Sequence, residues 1–181
     1  MKYLSIVLFV LTALVGGFYW LNGYIYDEKQ GGAVDPKNAT YQIQFQPITL
    51  VNGKYEETSA PGEEVQWKTV AQYFGNDAKG DLNGDEIPDI AFILTQNGGG
   101  TGTFFYVVAA IQNSAGRYIG TNGVLIGDRI APQSTEIRDG VLIVNYADRL
   151  ADEPFSVRPS VGVSLNLKLE GQELKVVPTV D

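Results

Sequence analysis

Hydrophobic and polar residues alternate with a period of two along most of the chain after residue 40. The pattern begins in residues 41–46 (YQIQFQ), where Tyr, Ile and Phe alternate with three glutamines, and its longest run extends from Val161 to Leu169. Because successive side chains of a strand point to opposite faces of a sheet, this period predicts half-buried β-strands. Residues 90–94 and 104–111 are hydrophobic at consecutive positions, which predicts central strands covered on both faces.

Turn residues separate these predicted strands. Asn52-Gly53 and Asp139-Gly140 predict tight hairpins, because Asn, Asp and Gly tolerate positive φ. Residues 65–74 fit either a short helix or a strand, and the pattern leaves both open. The sequence therefore predicts an all-β domain of about eight to ten short strands, arranged as a sandwich or as a small barrel-like antiparallel sheet.

A different pattern opens the chain, where Tyr3 to Leu21 is a run of nineteen uncharged, mostly hydrophobic residues. As a helix this run would be about 28 Å long, which matches the hydrocarbon thickness of a bilayer. Trp20, Tyr24 and Tyr26 lie at its end, and such aromatic residues concentrate at membrane interfaces. The sequence therefore predicts one N-terminal transmembrane helix within an anchor at residues 1–26.

The charges around the anchor predict its orientation. Lys2 and the amino terminus precede the helix, and residues 27–29 (DEK) after it sum to a negative charge, so the rest of the chain is expected outside the cytoplasm. Residues 27–39 are rich in Gly, Pro and charge and predict a flexible tether, which leaves residues 40–181 as an extracytoplasmic β domain. A signal peptide is the alternative, since residues 15–17 (VGG) suit cleavage. The domain would then be secreted.

The amino-acid composition excludes several kinds of catalytic site and metal site. The chain has no cysteine and no histidine, which excludes disulfides, a lipid-modified cysteine anchor, thiol nucleophiles, Ser-His-Asp triads and nearly every zinc ligand set. Its 21 acidic and 13 basic residues give a net charge of −8, which disfavours nucleic-acid partners. We therefore expect a protein that is not an enzyme. The exception left open is a glycan hydrolase with paired carboxylates, for which the candidates are Asp128, Glu136, Asp148, Asp152 and Glu153.

The densest group of oxygen-bearing side chains lies in residues 80–89 (GDLNGDEIPD). The predicted ligands place an oxygen at alternate positions: Asp81, Asn83, Asp85, Ile87 through its backbone carbonyl, and Asp89. Such oxygens converge in a curled loop, and Ca²⁺ accepts about six to eight hard oxygen ligands. The loop therefore predicts a structural calcium site, with Asp77 and Glu86 as further candidate ligands. The alternative is an ordinary turn, because Asp, Asn, Gly and Pro are common turn residues.

This acidic loop resembles the calcium loops of dockerins and EF-hands and, because a predicted strand follows it, those of FG-GAP and VCBS-type β repeats. The resemblance covers about a dozen residues and implies an ion that stiffens the loop rather than one that catalyses a reaction. Two positions depart from the pattern. Glu86 stands where these loops usually carry glycine, and Phe92 stands where an EF-hand has its bidentate glutamate.

Two further segments, 127–133 and 145–149, each place an aspartate beside an arginine near a predicted strand end. If both loops lie on one rim, they would form a polar recognition surface. Its candidate residues are Arg129, Tyr146, Asp148 and Arg149. The alternative, which we favour, is that these Arg–Asp pairs brace their own loops, because exposed ion pairs are weak evidence of a site.

Over about residues 41–165 the chain is similar to a group of bacterial proteins of uncharacterised activity that carry a single N-terminal anchor. The likeness rests on residues 73–76, 80–89, 91–96, 99–110, 125–133 and 144–149. The resemblance implies a membrane-attached domain of the cell envelope and transfers no catalytic residue. We expect this domain to act in binding or in envelope structure, with an envelope protein or a glycan as partner. An inhibitor-like or scaffold domain that acts on an envelope protein is the alternative.

Overall fold

The computed structural model describes residues 31–60, 62 and 67–178. Within these residues the protein is all-β, with one 3₁₀ turn at Pro36–Asn38 and no α-helix. The strands are β1 Thr40–Ile43, β2 Gln46–Thr49, β3 Lys54–Thr58, β4 Lys68–Gly80, β5 Asp89–Asn97, β6 Phe104–Gln112, β7 Tyr118–Gly120, β8 Val124–Asp128, β9 Ala131–Arg138, β10 Val141–Asp148, β11 Val161–Glu170 and β12 Glu173–Val177. The predicted all-β class is confirmed.

Antiparallel pairing joins the strands into three sheets. The largest has the order β3-β4-β5-β6-β7, and β8 pairs with the other half of β6. Strands β12-β11-β10-β9 form a four-stranded sheet, and β1 and β2 form a separate hairpin. A hydrophobic core lies between the two larger sheets, so the fold is sandwich-like.

Strand β5 contributes to two hydrophobic cores, one on each face of the largest sheet. Ala91 and Ile93 lie in the core shared with the four-stranded sheet, whereas Phe92 and Leu94 lie in a second core with the β1–β2 hairpin. These four side chains are at most 1% exposed. Strand β6 alternates between the same two cores. The prediction of central strands covered on both faces is therefore confirmed.

Both predicted tight turns are present. Asn52 and Gly53 have φ of 52° and 80°, and Asp139 and Gly140 have φ of 51° and 72°. The hairpin predicted at the first turn is wrong, because β2 and β3 share only a single bridge, between Val51 and Lys54. Instead β2 pairs with β1 and β3 pairs with β4, so the turn takes the chain from the β1–β2 pair into the edge of the largest sheet. In the segment that fitted either a helix or a strand, the part from residue 68 on belongs to β4.

The alternation in residues 41–46 predicted that Phe45 lies on the buried face of a strand, and this prediction is wrong. Tyr41 and Ile43 are buried, but β1 ends at Ile43 and Phe45 is fully exposed. Gln44 and Phe45 form a two-residue turn with φ of 51° and 66°, the arrangement of a type I′ turn. Neither residue type favours positive φ, so the sequence carries no signal for this turn.

The predicted anchor at residues 1–26 lies outside the described residues, and no helix of the described part is long and hydrophobic enough to span a membrane. The predicted tether at residues 27–39 is described from residue 31. Ala33 and Tyr118 exchange backbone hydrogen bonds of 2.8 and 2.7 Å, and Ala39 is buried. Ala33 and Ala39 of this segment therefore contact the β domain.

Candidate functional site

The acidic loop between β4 and β5 is organised by the carboxylate of Asp81. Its Oδ1 accepts hydrogen bonds from the backbone N–H groups of Gly84 (2.7 Å) and Asn83 (3.2 Å), and its Oδ2 accepts one from Glu86 (2.9 Å). These donors, the Glu86 N–H first, hold the pKa of Asp81 below its ordinary value. Asp81 is therefore kept ionised at the centre of the loop.

Asn83 and Asp85 extend this network toward solvent. The Asp85 N–H donates to Asn83 Oδ1 (3.0 Å), and the Ile87 N–H donates to Asp85 Oδ1 (2.8 Å). Asn83 Nδ2 donates to Asp85 Oδ2 (2.9 Å). Both residues are exposed, so their side-chain oxygens are accessible to a ligand. Hydrogen bonds of this kind also stabilise ordinary Asx turns.

Glu86 adopts a left-handed backbone conformation, which glycine adopts much more readily than other residues. Its φ is +65°, in the left-handed region that costs a residue with a β-carbon about 1 kcal/mol or more. The hydrogen bond from its N–H to Asp81 helps to hold this conformation. A non-glycine residue at this position therefore makes the loop conformation more costly than glycine would.

Asp89 has an environment unlike that of the other predicted ligands. It is fully buried, and its Oδ2 and Oδ1 accept hydrogen bonds from the backbone N–H groups of Leu82 and Gln112, both at 2.9 Å. Burial raises the pKa of Asp89, and the two hydrogen bonds offset only part of this effect. The carboxylate thus ties the acidic loop to the end of β6, a role that requires no ion.

These contacts test how well the loop fits calcium. Asp81, Asn83 and Asp85 offer the hard oxygens that Ca²⁺ prefers, and Asp85 uses only part of the acceptor capacity of a carboxylate, which is about four sites. Asp77 is engaged elsewhere, because the Tyr73 hydroxyl is hydrogen-bonded to both of its carboxylate oxygens. Within the described residues, no three acidic side chains form a ready-made metal cluster. The fit therefore rests on Asp81, Asn83 and Asp85.

One acidic residue outside the loop faces the same space. A shallow cavity of about 420 Å³ is lined by Asp81 and Gly84 on one side. On the other side it is lined by Ile137 near the end of β9 and by Asp139 and Gly140 of the β9–β10 turn. The Asp-Gly signal predicted this turn, but no pattern in the sequence indicates that it lies beside the acidic loop.

The two Arg–Asp segments meet on one rim of the domain. Arg149 Nη1 donates to the backbone carbonyl of Arg129 (2.9 Å), and Arg129 donates to both carboxylate oxygens of Asp128 (3.0 and 2.7 Å). The Arg129 guanidinium also lies 3.7 Å from the ring centre of Phe155. The charged groups thus bind neighbouring loop atoms, which favours the interpretation that they brace the loops.

Tyr146 does not belong to an exposed recognition surface, which corrects that part of the hypothesis. It is 8% exposed and lies in the core between the two larger sheets, and burial raises its pKa. Tyr146 faces inward because β10 alternates, with Leu142 and Val144 buried on the same face. Only Arg129, Asp148 and Arg149 of the predicted set remain on the rim.

Most carboxylates considered for glycan hydrolysis are engaged with nearby donors. Arg129 holds the pKa of Asp128 below its ordinary value through their hydrogen bonds, and Asp148 accepts the Arg149 N–H (2.8 Å). Glu136 forms an exposed ion pair with Arg138, and Glu153 accepts the Leu150 N–H. These contacts stabilise turns and a strand surface.

A groove of about 750 Å³ lies beside the tip of the β1–β2 hairpin. Its lining includes Gln42, Gln44, Phe45, Asn122, Gln172 and Glu173. Sequence reasoning assigned none of these residues to a site, because they come from three distant segments and share no motif. The glutamines of residues 41–46 were interpreted only as the polar face of a strand.

The chain matches no protein-family model, no curated protein and no solved structure. Its function is therefore inferred from its own residues, chiefly those of the acidic loop and the groove.

Proposed function

We propose that the protein is a membrane-attached binding domain of the cell envelope, held outside the cytoplasm, whose acidic loop is stiffened by Ca²⁺. The observation that supports the calcium part is the arrangement around Asp81, whose ionised carboxylate gathers the loop backbone while Asn83 and Asp85 present exposed oxygens beside it. The N-terminal hydrophobic run and the charges that flank it support the location.

The ligand set of this proposal consists of the side chains of Asp81, Asn83 and Asp85 and the backbone carbonyl of Ile87. When bound, Ca²⁺ supplies positive charge between carboxylates that otherwise repel each other. Asp89 supports the site from beneath, because its carboxylate fixes the Leu82 N–H and the Gln112 N–H at the base of the loop. A stiffened loop would keep the end of the β4–β5 hairpin in one conformation for a partner.

Binding is favoured over catalysis by the kinds of contacts that the acidic residues make. The chain lacks His and Cys, and Asp128 and Asp148 accept hydrogen bonds from arginine side chains or backbone. A general acid needs a raised pKa near the reaction, whereas the pKa of Asp128 is lowered. A sandwich-like scaffold that displays loops and a groove suits recognition.

Calcium is expected to raise the melting temperature. Extracellular calcium modules have dissociation constants of about 0.1 to 1 mM, so about 10 mM Ca²⁺ would stabilise the fold by roughly 1.4 to 2.7 kcal/mol. For a domain of this size that is a rise of about 3 to 10 °C. Thermal unfolding of the full chain in detergent, with Ca²⁺ and with a chelator, measures the rise.

The matched variants are Asp85→Ala in the loop and Asp152→Ala at another exposed aspartate. Asp85→Ala is expected to abolish the calcium-dependent rise, and Asp152→Ala is expected to keep it. Asp81→Ala should abolish the rise and also lower the melting temperature in chelator, because three backbone N–H groups lose their acceptor. Identical wild-type melting curves in calcium and in chelator would remove the calcium part of the proposal.

The location is tested by fractionation. We expect the full-length chain in membranes washed with carbonate, and we expect protease added to intact spheroplasts to digest the domain, since the flanking charges orient it outward. A cytoplasmic protein of the same cells must stay intact in that assay. Recovery of the full-length chain in the cytosol would contradict the proposal, and recovery of a shortened chain in the medium would support the signal-peptide alternative.

A further inference from the structure

Phe45 occupies a position that is unfavourable for it in two ways. Its φ of +66° lies in the left-handed region, which Asn and Gly tolerate much better. Its side chain is fully exposed, so it gains nothing from burial. Strained residues of this kind cluster at ligand sites, where the strain is offset by function. An aromatic ring that contributes so little to folding is therefore a candidate for contact with a ligand.

The hairpin tip that carries Phe45 is held over the groove by hydrogen bonds on both sides. Gln44 Nε2 donates to the Tyr106 hydroxyl (2.9 Å). On β1, the Gln42 N–H donates to the Thr121 carbonyl (3.1 Å), and the Gly123 N–H donates to the Gln42 carbonyl (2.8 Å). The wall formed by the hairpin is thus joined to the segment between β7 and β8.

A second connection fixes the opposite wall. Asn122 Oδ1 accepts the Leu174 N–H (2.6 Å), and Asn122 Nδ2 donates to the Leu174 carbonyl (3.1 Å). This pair of bonds attaches the start of β12, and with it Gln172 and Glu173, to the floor of the groove. A groove whose walls are fixed before binding requires less ordering when a ligand enters.

The lining combines an apolar surface, which includes Phe45, Ile119 and Leu125, with several uncharged polar side chains. Gln42 and Gln172 line the groove, and their side-chain amides make no hydrogen bond within the described part of the chain. Amides present donors and acceptors side by side, which matches the hydroxyl groups of a sugar. Glu173 is the one charged residue of the described lining, and no Lys or Arg of that part of the chain joins it. An anionic ligand would therefore lack a counter-charge in a protein of net charge −8.

We propose that this groove binds a neutral glycan, with the C–H face of one sugar ring on Phe45 and its hydroxyl groups on the amides of Gln42 and Gln172. The volume of about 750 Å³ lies within the range of small-ligand sites, about 300 to 1,000 Å³. The proposal deepens the binding function proposed above and rests on it for access to glycans outside the cytoplasm. It does not depend on the calcium loop, since no residue of that loop lines the groove.

The test is calorimetric titration of the full chain, in a detergent without a sugar head group, with neutral tetrasaccharides of glucose and of N-acetylglucosamine. Saturable binding of at least one is expected. Phe45→Asn is expected to lower that affinity about tenfold or more, because the stacked ring is lost, and to leave the melting temperature unchanged or higher, because Asn suits the turn. Phe155→Asn, at another exposed phenylalanine outside the groove, should bind like the wild type.

Three results would overturn the proposal. They are the absence of saturable binding of both neutral tetrasaccharides, equal affinity of Phe45→Asn and the wild type, and tighter binding of a neutral tetrapeptide or of a tetragalacturonate. Titrations in calcium and in chelator separate this proposal from the previous one. If the wild type binds neither glycan but its melting temperature rises with calcium, only the glycan proposal is removed. If it binds a glycan but its melting temperature does not respond to calcium, only the calcium part of the proposed function is removed.

Discussion

Asp89→Ala is expected to lower the free energy of unfolding by about 3 kcal/mol, because hydrogen bonds to a charged group contribute roughly 1.5 to 3 kcal/mol each and two are lost. The Leu82 and Gln112 N–H groups would both be left without the carboxylate that accepts them at 2.9 Å. Relief of the buried charge, whose cost is visible in the raised pKa of Asp89, reduces the net loss. Urea unfolding of the wild type and the variant measures the difference.

The control for this variant is Asp152→Ala, which removes an exposed carboxylate and should change the free energy of unfolding by less than about 0.5 kcal/mol. Asp89→Asn should also destabilise the domain, since its amide nitrogen would face one of the two N–H donors. If Asp89→Ala matched the wild type in urea, Asp89 would not clamp the loop to β6.

Gly120→Ala is expected to lower the free energy of unfolding by about 2 to 3 kcal/mol through overpacking. A β-carbon at this position would lie 2.2 Å from the backbone carbonyl oxygen of Thr40 and 2.7 Å from the Tyr41 ring. Because the first of these atoms belongs to the backbone, β1 as a whole has to move away from the end of β7. The same urea assay measures the loss, and the movement should also weaken glycan binding in the groove.

Gly162→Ala is the matched control, because no atom outside its immediate neighbours lies within 4 Å of the added β-carbon. Gly162 is an exposed residue of β11, where alanine should be neutral or slightly stabilising. Equal stability of Gly120→Ala and Gly162→Ala would show that the β1–β2 hairpin does not lie tightly against β7. The inference that the walls of the groove are fixed before a ligand binds would then lose its support.

The central strands were predictable because burial on both faces leaves a direct trace in the sequence. Residues 90–94 and 104–111 are hydrophobic at consecutive positions, and their side chains alternate between the two cores. The turns at Asn52-Gly53 and Asp139-Gly140 were predictable for a similar local reason, since these residue types adopt positive φ readily.

Features that depend on distant partners were not predictable. The offset of Asp89 indicated a calcium ligand, but its environment is determined by Leu82 and by Gln112, which lies 23 residues away. Tyr146 looked suited to a surface because it precedes Asp148 and Arg149, yet the pairing of β10 turns it into the core. Phe45 fitted the alternation of β1 and lies in the turn that ends it.

The acidic loop has both features that were predictable from the sequence and features that were not. Its hydrogen bonds run mainly between residues two to five positions apart, such as those from Gly84 and Glu86 to Asp81, so residue types and spacing sufficed to predict a compact loop. Its neighbour Asp139 lies in the turn between β9 and β10, which belong to another sheet. Which residues surround a loop is a property of the tertiary fold, and a single sequence contains no local signal for it.

The double role of β5 and β6 has a consequence for how the domain comes apart. Phe92 and Ile93 are neighbours in the chain but anchor opposite sides of one sheet, so neither layer can detach without disturbing the strand that supports the other. We therefore expect the sandwich and the hairpin to unfold together as one cooperative unit.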